Sequence, residues 1–285
     1  DGALGMGFGP TSSTILLSAG LTPATASTTV NLAKVATGLV AGASHWRFGN
    51  IDRPLVLRLA IPGAIGALVG TTVLVSVDGD DLRPVLAVVL LLVGIRILLR
   101  FSRPLPLRPD TDALAGPGEL PRFDAAGVEI AAGAGGVTNG LVGAWGPVVT
   151  PFLLHRGLEP RFAVGSVNTA EVAVAVVAAG SLITSLGGDG LEVGVVLAML
   201  TGGMLAAPLA AYVVRYIPAR ALGLAVAGLL LCTQARELAT FFELGSVRWL
   251  VYAGIGLALL AAALRPQWAG EREWSRAWRI APSER

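Results

Sequence analysis

Charge is what this chain of 285 residues has least of: Asp, Glu, Lys and Arg together make up 14% of it. Soluble domains carry about 25%, so too little charge is present to coat a water-facing surface. A single cysteine, Cys232, excludes an intramolecular disulfide and any cysteine-based metal cluster. Two histidines, His45 and His155, stand beside Trp46-Arg47 and Arg156 and read as interface residues; with one apolar cysteine they argue against an integral-membrane enzyme. No Walker A string exists, which argues against ATP-driven transport by this chain alone. The string Gly5-Met6-Gly7-Phe8-Gly9 lacks the strand, the βαβ context and the later acidic residue of a dinucleotide loop. No cofactor and no nucleic-acid partner is expected. No removable signal peptide is visible, and an opening at Asp1-Gly2 inside an apolar segment predicts further residues upstream.

What is abundant is apolar length. Hydrophobic residues make up 54% of the chain, and the mean hydropathy is +0.70. A helix needs roughly 20 apolar residues to cross a bilayer. Stretches near 24–45, 55–77, 83–100, 162–186, 192–214, 219–235 and 247–265 qualify. The 37 glycines suit close helix packing in lipid, where small residues let backbones approach.

The chain also repeats itself. Gly9-Pro10, Leu16-Leu17, Gly20-Leu21, Pro23, Ala26, Val30-Asn31 and Ala33 recur, at an offset of 137, as Gly146-Pro147, Leu153-Leu154, Gly157-Leu158, Pro160, Ala163, Val167-Asn168 and Ala170. The next position is Lys34, the only lysine of the chain, in one copy and Glu171 in the other. Ionisable residues at membrane depth are costly, and a Gly/Pro-broken apolar segment in both halves points to a transporter site.

Segment 123–155 is too long for one straight span and too short for two. Its glycines and Pro147 and Pro151 predict two half-helices meeting at a broken centre. Residues 1–20 match the second part of the equivalent element. If the broken element re-enters rather than crosses, sixteen arginines, from Arg47 and Arg53 to the tail, fall on one face and only Arg83, Arg236 and Arg248 on the other. The positive-inside rule then holds and makes the crowded face cytoplasmic. The expected fold is an all-α polytopic membrane protein of two inverted repeats, each a re-entrant broken pair plus three spans, with one extra C-terminal span. The expected division is a first repeat over 1–101, a cytoplasmic linker over 102–122, a second repeat over 123–240, a final transmembrane helix over 241–265 and an interfacial tail over 266–285.

The string Gly5 to Pro10, the stretch from Leu16 to Asn31, Ser44-His45-Trp46-Arg47-Phe48-Gly49-Asn50-Ile51-Asp52, and Gly165-Ser166-Val167-Asn168-Thr169-Ala170-Glu171 resemble the TauE/SafE sulfite exporter family over nearly the whole chain. The resemblance implies a carrier in the bacterial inner membrane for a small sulfur-containing anion such as sulfite, thiosulfate or an organosulfonate. The lipid bilayer is its other partner, and a homo-oligomer is compatible with the sequence.

Candidate substrate-binding residues follow from the breaks. A half-helix opening at Gly9-Pro10 and carrying Thr11, Ser12 and Ser13 would offer free N–H groups, a positive dipole end and hydroxyls to an oxyanion; alternatively the hydroxyls only satisfy backbone freed by the break. Asn31 and Lys34 share one helix face, as do Asn168 and Glu171. The asparagines could donate to a sulfonyl oxygen, Lys34 could attract the anion and Glu171 could carry a coupling proton. The plain alternative is a Lys34–Glu171 ion pair that pins the halves. Trp145 at the second break would wall or gate the cavity, or fill the core, and Asn139 could line the same space.

Overall fold

The computed structural model describes residues 7–102, 123–187, 193–202 and 219–265. The chain is all-helical across them. The elements are α1 (Phe8–Ser18), α2 (Pro23–Arg47), α3 (Arg53–Ser76), α4 (Gly79–Ser102), α5 (Val128–Val142), α6 (Gly146–His155) and α7 (Pro160–Leu186). After these come α8 (Val193–Gly202), α9 (Ala219–Phe241) and α10 (Val247–Leu264). The linker and the tail lie outside the described residues, as does most of the span expected at 192–214.

Among the described residues, five helical stretches are long and apolar enough to cross a membrane: Arg53–Ser76, Asp81–Ser102, Arg161–Leu186, Gly223–Phe241 and Val247–Leu264. α2 is of similar length at 25 residues but is not among them. The polar side chains of its first half are turned inward, where Ser27, Thr28, Thr29, Asn31 and Lys34 are all buried.

Local chemistry sets the helix starts. α2 opens with Pro23, whose missing N–H costs nothing in a first turn, and the Thr22 hydroxyl accepts from the Thr25 N–H at 3.2 Å. α3 opens behind Asp52, whose carboxylate accepts from the Leu55 N–H at 3.1 Å. α7 opens with Pro160, the repeat position of Pro23. The half-helices start at the expected Gly-Pro positions to within one residue. α1 begins at Phe8 with Gly7 as its cap, and α6 at Gly146 with Trp145 as its cap. Pro10 and Pro147 therefore lie inside the first turns, where an N–H would have no partner in any case.

Segment 123–155 folds back on itself. α5 ends at Gly143, whose φ of 67° belongs to the left-handed region that glycine tolerates. Its two ends meet: the Asp124 N–H donates to the Arg156 carbonyl at 3.1 Å, and the Arg156 guanidinium pairs with the Asp124 carboxylate. The broken pair is thus a hairpin that starts and finishes on one side.

Two seams hold the bundle. α3 and α5 touch through glycines: a Cβ at Gly66 would lie 2.1 Å from the Gly133 carbonyl oxygen, and one at Gly136 2.0 Å from that of Gly63. Backbones this close gain dispersion and weak C–H···O contacts that larger residues would forbid. α2 crosses α7. Gly38 faces Val172, Gly42 faces Thr169, and Asn50 beyond the end of α2 lies against Gly165, so the two helices run in opposite senses. One apolar core gathers α3, α5, α6 and α7 around Trp145, and a second joins α4 and α9. α10 lies against α9 and α4 and leaves Trp249, Leu250, Leu257, Leu260 and Leu264 exposed, as befits a lipid-facing span.

Candidate functional site

The α5 C-terminus leaves backbone carbonyls without helical partners, as every helix end does. Side chains of α1 and α2 take them up. The Ser13 hydroxyl donates to Val142 O at 2.8 Å, the Ser27 hydroxyl to Gly140 O at 2.7 Å, and Lys34 Nζ to Gly143 O at 2.7 Å. A cation and two hydroxyls thus cover the negative end of the helix. The break is further closed by the Thr138 hydroxyl, which donates to Ala144 O at 2.9 Å.

Lys34 is the hub. Its ammonium pairs with the Glu171 carboxylate, and it donates to Asn139 Oδ1 at 2.8 Å. Asn139 Nδ2 in turn donates to Asn31 Oδ1 at 2.7 Å. Asn31 Nδ2 donates to Ser27 O at 2.9 Å. Lys34 and Glu171 are 2% and 4% exposed, so the pair is out of water. At that depth an ion pair persists only when its remaining donors and acceptors are satisfied, as the Lys34 donors are here. The two members occupy the same position of the repeated motif and touch each other across α2 and α7.

The other predicted site residues fall as follows. Gly9 lies directly against Gly143, and a Cβ there would come within 3.0 Å of Lys34 Cε. Thr11 turns its hydroxyl back to Gly7 O at 2.6 Å. Ser12 is half-buried. Trp145 is fully buried, with Nε1 donating to Val167 O at 3.1 Å, and its ring covers Gly63 and Gly135. Asn168 is buried, and among the described residues neither its amide oxygen nor its amide nitrogen has a partner. Gly9, Ser13, Asn31, Lys34, Asn139 and Glu171 therefore converge around one break, while Thr11 serves its own helix.

Sequence reasoning passed over Ser27 and the carbonyls of Gly140, Val142 and Gly143. The signal was available: a helix ending at Gly143 must find acceptors' partners for its last turn. It also passed over Gln234 of α9, 3% exposed, whose Nε2 donates to the Thr14 hydroxyl at 3.0 Å. That pair lines a cleft shared with Ser18, Arg83 and Glu237 between α1, α4 and α9. Among the described residues no cluster of His, Cys, Asp and Glu could hold a metal.

Among the described residues, an all-helical bundle with five membrane-length apolar helices, a broken helix pair and a buried lysine–glutamate pair defines a multi-pass membrane transporter. The profile of the family described as Sulfite exporter TauE/SafE matches residues 1–236, and the chain belongs to that family. A probable membrane transporter protein, YtnM of Bacillus subtilis (strain 168), is 40% identical over 266 residues, covering 93% of this chain and 87% of that protein. No solved structure matches the chain.

Proposed function

We propose that the chain is a secondary transporter that moves a small sulfur-containing anion, such as sulfite, thiosulfate or an organosulfonate, across the bacterial cytoplasmic membrane. The observation that carries the reading is the buried Lys34–Glu171 pair at the helix break. It is a cation held in a low-dielectric interior beside amides that can accept and donate. The family's description supports a sulfur oxyanion as cargo.

Transport proceeds by alternating access between two inverted halves. The opposite senses of α2 and α7, crossing where equivalent residues 34 and 171 touch, support an axis lying in the membrane plane between them. The substrate sits between Gly9, Ser12, Ser13, Asn31 and Lys34 of the first half and Asn139, Trp145 and Asn168 of the second. Glu171 carries the coupling proton. The hairpin of α5 and α6 enters from the cytoplasmic face, which also bears the linker 102–122 and the tail 266–285.

The test is uptake of labelled sulfite, thiosulfate and taurine into proteoliposomes, with wild type and Lys34→Ala, with and without a proton gradient. Saturable, gradient-stimulated uptake of one anion, lost in Lys34→Ala, is the expected result. Flux that never saturates and simply follows the anion gradient would make the protein a channel. Verified folded protein that moves none of the three would remove the sulfur-anion assignment.

A further inference from the structure

An ammonium group has three N–H donors, and Lys34 has committed all of them. They go to the Glu171 carboxylate, to Asn139 Oδ1 and to Gly143 O. At 2% exposure no bulk water has access to it. An anion can therefore reach Nζ only by replacing one of the three. Gly143 O is fixed by the left-handed break, and the Asn139 amide is held by Asn31. The carboxylate is different. It is itself an oxyanion, it ends a flexible side chain, and Lys34 is its only partner among the described residues.

We infer that the Glu171 carboxylate occupies, in the empty carrier, the seat on Lys34 that the substrate anion takes in the loaded one, and that it yields the seat by accepting a proton. The inference rests on the transporter reading above and gives that site its charge rule. The empty pair sums to zero. An anion on Lys34 beside an ionised Glu171 would leave one uncompensated negative charge in the protein interior, which is strongly disfavoured. With Glu171 protonated the loaded site returns to zero for a monovalent anion. The proton passes from water to the carboxylate on the loading side. It leaves on the other side when Glu171 reclaims Lys34.

Among the described residues no other charge intervenes. α2 brings Lys34 to Glu171, α5 brings Asn139 to Lys34, α6 follows Trp145, which bonds Val167 O, and α3 brings Thr71, which hydrogen-bonds Ser181 further along α7. The charged and titratable residues of those helices, His45, Arg47, Arg53, Arg58, Glu129 and His155, stand at helix ends. A monoanion should therefore travel electroneutrally with one proton, while a dianion with one proton should carry one net negative charge.

Two probes of fixed charge test this: methanesulfonate, a monoanion, and thiosulfate, a dianion. Binding of either to the detergent-solubilised wild type in weakly buffered solution should take up about one proton per anion, with affinity falling about ten-fold per pH unit on the alkaline side. In proteoliposomes, uptake of methanesulfonate should ignore an imposed membrane potential and uptake of thiosulfate should follow it. Glu171→Gln should bind anion without the proton uptake and without the alkaline fall in affinity, and its anion exchange between preloaded vesicles should suffer less than its net uptake. Its net uptake into empty vesicles should fall by more than about ten-fold, because the empty carrier would have to return with a bare lysine charge. Binding without proton uptake would overturn the inference and leave the cargo assignment standing, and this result does not depend on how well the variant folds. Equal loss of exchange and net uptake in folded Glu171→Gln would also overturn it. A wild type that binds and carries neither probe would remove both.

Discussion

Gly9 of α1 rests on the carbonyl of Gly143 at the α5–α6 break, so close that a Cβ on Gly9 would lie 1.9 Å from that oxygen. The first turn of α1 is thus in van der Waals contact with the break, beside Lys34.

Gly9→Ala should lower the melting temperature of the detergent-solubilised protein. The obstacle is backbone rather than a flexible side chain, so the cost should reach at least the ~1–3 kcal/mol typical of overpacking. Gly180→Ala is the control. Nothing lies within 4 Å of a Cβ there, and alanine favours a helix by about 1 kcal/mol over glycine, so its melting temperature should hold or rise.

Lys34→Ala should destabilise by about 3–5 kcal/mol, because it strands the Glu171 carboxylate in the interior. Lys34→Ala combined with Glu171→Ala should recover much of that loss. Thermal unfolding of the four proteins in one cycle reads the coupling, and additive losses would mean that the pair does not form. Lys34→Arg should behave as a damaging change. Three acceptors converging on one nitrogen suit an ammonium and not a planar guanidinium.

Trp145→Phe removes one hydrogen bond, to Val167 O, and should cost about 1 kcal/mol. Trp145→Ala also empties the space above Gly63 and Gly135 and should cost about 3–5 kcal/mol. Chemical or thermal unfolding distinguishes the two. Equal losses would show that the indole volume contributes little.

The Asp124 carboxyl is held below its ordinary value, first by the Ala126 N–H and then by Arg156. The folded form is therefore the weaker proton binder. Its contribution to closing the hairpin is present at neutral pH and is lost as pH falls through the depressed folded value. The protection factor of the Asp124 N–H, which bonds Arg156 O, should fall on acidification below about pH 4. In Asp124→Asn that acid dependence should disappear.

The sequence made the outline of the site readable because its signals were local or repeated. The 137-residue offset paired Lys34 with Glu171 before any contact was known, and the all-helical class followed from apolar length. The glycine-rich run 123–155 announced a broken element. What stayed hidden depends on backbone ends. The start of α1 at Phe8 falls one residue before the expected Gly9-Pro10, because a proline is tolerated anywhere in the first turn. The cover that Ser13, Ser27 and Lys34 place over the end of α5 joins residues more than a hundred positions apart, and no spacing rule reports it. α2 was expected as a span with Asn31 and Lys34 on one face, and the further polar residues that lower its hydropathy, Ser27 among them, help build the site.

The glycine seam between α3 and α5 carries a mechanical consequence. Carbonyls of each helix lie where side chains of the other would normally stand, at Gly66, Gly70, Gly136 and Gly140. Sliding one helix along the other would drive these groups into Cβ atoms a residue away. The seam is a keyed joint, and α3 with the first limb of the hairpin must travel as one piece.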